Sequence, residues 1–214
     1  MIVDCHSHIW PSTEHLGQAV GFSCLTSSDI SEGNPDAHRL ASEPADAVLV
    51  LGFVSNLLNA EIPHDYVRDY VRSFPTRLLG FAGIDPTESG CGQQIKAYHE
   101  EGDFVGLTVS PACQGFHPCD SRAMSVYEVA EELALPIYFP QGDRLPQSAF
   151  MEFLQPSALD EVAKTFTNLK IVVSHLGYPW IEQMIMLLGK HDNVYSDIAG
   201  LSRRPWQAYR ALTL

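Results

Sequence analysis

Seven short runs rich in β-branched, aromatic and leucine residues recur along this chain: IVDC at 2–5, AVLVLGF at 47–53, LLGFAGI at 78–84, FVGLTV at 104–109, LPIYF at 135–139, LKIVVSH at 169–175 and NVYSDIAG at 193–200. Most are followed by a stretch whose apolar residues fall three and four apart, as in PHDYVRDYVRSF, DSRAMSVYEVAEELA, SALDEVAKTFTN and YPWIEQMIMLLGKH. Strands that alternate with helices build a mainly parallel sheet covered by those helices, so the fold class is α/β. Asp120 or Ser121 marks one helix start, and Pro136 directs the chain out of that helix into the next strand. At 45% hydrophobic content, 214 residues supply one substantial core, and 1–214 is read as a single domain.

The turn after the first strand separates two α/β architectures. An open nucleotide-binding sheet places a Gly-rich turn there, whereas this chain has His6-Ser7-His8-Ile9-Trp10. A (β/α)8 TIM-barrel-like fold, with polar chemistry at the C-terminal strand ends, fits better. A complete barrel takes about 250 residues. With about seven βα units before Leu214, the domain is expected to be incomplete at its C-terminal end. The polar excursion from Thr13 to Pro44 departs from the alternation, and a loop of that length is expected to act as a lid or mobile segment.

Charge narrows the partners. The formal net charge is −13, from 13 Lys+Arg against 26 Asp+Glu, which repels phosphate backbones and anionic membrane surfaces. No apolar run approaches the ~18 residues of a bilayer span, and the N-terminus lacks the pattern of a signal peptide. The expectation is a cytoplasmic protein acting on a small molecule, with no nucleic acid or membrane partner and with self-association open. Five cysteines without a C-x-x-C argue for reduced thiols.

Strand alternation points His6 and His8 to one side of the first strand, with Asp4 one step earlier. Two imidazoles on one face suit a divalent ion; an isolated pair of hydrogen-bonded histidines is the structural alternative. His175 ends an apolar strand and so faces a barrel mouth. Asp197 ends the next strand, where its carboxylate receives a proton, orients His175, approaches a metal or caps the turn before Gly200. Trp10 is a candidate wall of the pocket, and Arg203 a candidate clamp for a substrate carboxylate. Arg204 shares that position, and solvent-facing arginines are the plainer reading for at least one of the two. His117, between Cys113 and Cys119, is read as a pocket-lining loop residue.

DCHSHIW, LLGFAGIDP, FVGLTVSP with GFHPCD, ELALPIYF, NLKIVVSHLGYPW and NVYSDIAG, in that order, resemble the amidohydrolase superfamily. The likeness is to its branch of metal-dependent hydrolases and of decarboxylases such as α-amino-β-carboxymuconate-semialdehyde decarboxylase. The resemblance implies a distorted (β/α)8 barrel with one divalent metal, usually zinc, at the mouth. It implies His6 and His8 as ligands and His175 as the acid/base. A third histidine ligand is expected where Phe139 stands, and a final aspartate ligand in a Gly-Ser-Asp turn that this chain lacks. Zinc held by the remaining pair is therefore expected to bind weakly. Hydrolysis of a small ester, lactone or amide, non-oxidative decarboxylation, and an inactive relative or binding module all remain open.

Overall fold

The computed structural model describes residues 1–19, 33–140 and 145–201, together with Trp206 and Tyr209. Its strands are β1 (Val3–Ser7), β2 (Ala47–Leu51), β3 (Val54–Ser55), β4 (Ala60–Glu61), β5 (Leu78–Gly83), β6 (Phe104–Thr108), β7 (Ile137–Phe139), β8 (Ile171–Val173) and β9 (Val194–Ser196). Seven of them form one sheet in the order β1-β2-β5-β6-β7-β8-β9, with every pairing parallel. Each strand therefore lies beside the next one in sequence. That is the winding of a barrel, without the reversal of order that marks a doubly wound sheet. All seven anticipated strands are present; β3 and β4 add a small antiparallel hairpin beyond β2.

The helices are α1 (Pro35–Ala41), α2 (His64–Ser73), α3 (Cys91–Glu101), α4 (Pro111–Gln114), α5 (Ser121–Glu132), α6 (Asp160–Thr165) and α7 (Ile181–Lys190). Asp120 is the N-cap of α5, its carboxylate accepting the backbone N–H of Arg122 at 2.9 Å. The excursion after β1 holds a 3-10 segment at Thr13–Ala19 and then α1. Its residues 20–32 lie outside the described set, and so does the lid expectation for that stretch.

The pleat sorts side chains between two layers. Val48, Val50, Ile137, Phe139, Ile171 and Val173 join the main core, with Val67 and Val71 of α2, Ala123 and Val126 of α5, and Met184 of α7. The alternate positions Leu49, Leu51, Phe81, Tyr138 and Val172 form a separate, inner cluster. Gly106 makes room for that interior, since a Cβ there would lie 2.3 Å from the Phe81 ring. The hydrophobic pattern thus fixes which face of each strand looks inward, and the rim of that inner face carries the polar site.

Candidate active site

β1 does not run straight to its rim. Its register against β2 shifts between Asp4 and Ser7, the irregularity of a bulge, which breaks strict alternation and re-aims side chains. Asp4 accordingly turns back on its own strand and accepts the His6 N–H at 3.0 Å instead of joining the histidines as alternation predicts. His6 and His8 do converge: their Nε2 atoms stand 3.4 Å apart. His8 Nδ1 lies 2.9 Å from the carbonyl oxygen of Leu51, which only accepts, so Nδ1 carries the proton.

From across the sheet, Tyr138 of β7 brings its hydroxyl to 2.8 Å from His6 Nδ1 and donates a short hydrogen bond to Asp197 Oδ2. Asp197 follows β9 directly. Its Oδ1 accepts the N–H of His175 at 3.0 Å and of Ala199 at 2.8 Å, and its carbonyl accepts the N–H of Leu176 at 2.8 Å. These bonds hold a turn in which His175 (φ 55°) and Leu176 (φ 50°) are both left-handed, a conformation L-residues adopt at a cost. The His175 ring stacks on His6 with centroids 4.6 Å apart, and its Nδ1 donates to the Ala199 carbonyl at 2.6 Å. Asp197 thus both caps the turn and orients His175, two roles its position in sequence left as alternatives.

Electrostatics sort the protons. Burial, reinforced by His6, lowers the His8 pKa to about 3 against the opposing bond to Leu51, so this ring is neutral at pH 7. Burial pushes Asp197 upward, but His6, the Tyr138 hydroxyl and the His175 N–H outweigh it and hold the carboxyl at about 2. Tyr138 is raised far above the phenol range, first by burial and then by the Asp197 charge, and remains a donor. The Cys5 thiol is also raised by burial, then by Asp197 and Asp4, which makes it a poor nucleophile.

One ligand atom each from His6, His175 and Asp197 lies within 4.8 Å of the others. Two imidazoles and an ionised carboxylate at this separation form a donor set for a divalent ion. The Amidohydrolase family profile matches residues 3–213. The chain belongs to the amidohydrolase family. Comparison with curated protein sequences gives no match. Among solved structures, it resembles an uncharacterized TIM-barrel protein from Bordetella bronchiseptica at TM-score 0.71 and 16% identity, over 92% of this chain and 74% of that one. It also resembles a probable 2-pyrone-4,6-dicarboxylic acid hydrolase from Acinetobacter baumannii (TM-score 0.65, 14% identity, 94% and 71% covered). A third likeness is to a dihydroxybenzoic acid decarboxylase from Polaromonas with bound manganese and an inhibitor (TM-score 0.60, 18% identity, 82% and 65% covered). At these identities the likeness is one of fold.

Within this amidohydrolase chain the sequence-derived site divides. His6, His8, His175 and Asp197 come together; of the other positions, Trp10 and His117 are the described ones, and no hydrogen bond or ring contact joins them to these four. Phe139 is corrected as the vacant ligand position: it is fully buried on the helix side of β7, edge-on to Tyr127 with ring centroids 5.8 Å apart, because the pleat turns Tyr138 inward in its place. Trp10 packs in the main core on Gly33, where a Cβ would come within 1.9 Å of the indole. His117 is exposed on its loop, its Nδ1 accepting the Cys119 N–H at 3.1 Å and its ring edge-on to Phe153. Arg203 and Arg204 lie outside the described residues. Among the described residues, Cys5, Cys91, Cys113 and Cys119 are free thiols. No helix among the described residues is long and apolar enough to cross a membrane. Tyr138 is the participant that sequence reasoning missed, since three consecutive buried residues leave no alternation in LPIYF to mark the inward one.

Proposed function

We propose that this chain is a metal-dependent hydrolase acting on a small carbonyl or carboxylate substrate, an ester, lactone or amide. The observation that carries the reading is the 3.4 Å approach of His6 Nε2 to His8 Nε2. Two nitrogens bound to one ion at 2.0–2.1 Å in tetrahedral geometry stand ~3.3 Å apart, so the pair fits a single divalent ion. His6 and His8 would hold it, with the Asp197 carboxylate as the neighbouring anion. Zinc is the first candidate, and manganese, present in the Polaromonas relative, is the second. A bound ion of this kind supplies Lewis-acid polarisation of a substrate oxygen.

The chain's own residues supply the proton chemistry. With Nδ1–H committed to Ala199, His175 takes and returns a proton at Nε2. Asp197 fixes the turn that carries this ring. Leu51 and Phe81 form an apolar floor below the rim that excludes water from beneath the site. A second reading, non-oxidative decarboxylation, draws support from the named decarboxylases among the structural relatives. There His175 would return its proton to carbon after carbon dioxide leaves.

The test starts from the chain stripped of metal and reconstituted with zinc or manganese, then assayed against small esters, lactones, amides and aromatic carboxylates. Metal-dependent turnover is expected, and His175→Asn is expected to lower it by about 10² to 10⁴. Carbon dioxide release in place of hydrolysis selects the second reading. Metal uptake without turnover on any class selects a binding module, and absence of uptake overturns the metal reading.

A further inference from the structure

Asp197 and His6 need a connector. The Asp197 Oδ2 to His6 Nδ1 distance is 3.7 Å, beyond a hydrogen bond, and Tyr138 reaches both. A phenol has one proton to give. An ionised carboxylate only accepts, so the Tyr138 proton is spent on Asp197. The phenolic oxygen is left to accept from His6 Nδ1–H. With its proton on Nδ1, His6 presents a lone pair at Nε2, toward His8 Nε2, whose own lone pair is exposed by the bond from its Nδ1 to Leu51.

We infer that Tyr138 is a positioning residue that fixes the Nδ1–H tautomer of His6 by relaying the Asp197 carboxylate to it. Burial enforces the relay. The Tyr138 side chain is fully buried beside Leu51 and Phe81, the Phe81 ring edge-on to it at 6.4 Å, so the ring cannot swing away and the hydroxyl stays between its two partners. Partners of this kind set both the tautomer and the basicity of a ligating imidazole, and losing one weakens metal binding by about 10- to 100-fold. The inference rests on the proposed role of His6 and His8 as ligands.

Histidine nitrogen NMR on the metal-free chain tests the tautomer, and manganese titration tests the consequence. Wild-type His6 is expected to show its proton on Nδ1, and Tyr138→Phe to show a mixture of tautomers or the Nε2–H form. The variant should bind manganese about 10- to 100-fold more weakly. A wild-type His6 protonated on Nε2 alone overturns the inference without recourse to any variant. So does a folded Tyr138→Phe chain with unchanged tautomer and unchanged manganese affinity. If the wild-type chain takes up no manganese or zinc, the metal reading fails by itself, and the tautomer spectra still decide the role of Tyr138.

Discussion

Adjacent residues of β7 have opposite fates, and one step of the pleat separates them. Tyr138 faces the inner cluster and the histidines; Phe139 faces Tyr127 and the helices. Phe139→His therefore gives a metal nothing. It is expected to leave zinc and manganese affinity unchanged and to cost about 3 kcal/mol in chemical denaturation, because it removes a fully packed aromatic ring and buries a polar one. Tyr127 carries the opposite opportunity. Its hydroxyl is buried without a hydrogen-bond partner among the described residues. Tyr127→Phe is expected to stabilise the chain by about 1 kcal/mol, since an unsatisfied buried hydroxyl costs ~1 to 3 kcal/mol; a lower melting temperature would reveal a partner for that group. His6, His8, His175 and Asp197 were legible in the sequence because each stands at the end of a short apolar run. Tyr138 was not, because its role depends on the parity of a three-residue strand whose members are all buried.

At the scale of elements, composition found the strands and punctuation found some helix ends. AVLVL and LLGFAG become β2 and β5 with little change of boundary. The β1 bulge left no mark in sequence, since it arises from pairing with β2, and it is what excluded Asp4 from the site. The α5 start was readable, and it carries a direct test. Asp120 caps the helix and also binds Arg122, whose guanidinium beside it holds the carboxyl at about 2. Asp120→Ala is expected to destabilise the chain by about 1 kcal/mol at neutral pH. A depressed folded-state pKa means this contribution is complete above the ordinary carboxylate range, ~3.9, and disappears as pH falls through about 2. Denaturation curves of both chains should therefore differ at pH 7 and converge near pH 2; a difference that persists undiminished there would assign the effect to something other than the charged cap.

On the scale of the whole molecule, the site reports how far the sheet has rolled. β1 and β9 are opposite edges of the seven-stranded sheet, yet His6 at the end of one lies 3.7 Å from Asp197 at the end of the other. Side chains at the mouth bridge the two edges. Backbone hydrogen bonds do not: among the described residues β1 pairs only with β2, and β9 only with β8. An edge strand presents unpaired N–H and C=O groups that invite a further strand. Apolar side chains accompany these edges, with Ile2 61% and Val3 42% exposed at one and Tyr195 48% exposed at the other. Edge pairing between copies would cover both features, so the chain is expected to self-associate at micromolar concentration. Val3→Lys, which places a charge on the β1 edge, is expected to shift it toward monomer while leaving the histidines at the opposite end of the strand in place. Size-exclusion chromatography with light scattering checks both statements. A wild-type chain that stays monomeric as concentration rises would mean that the seam between β1 and β9 is closed within one molecule.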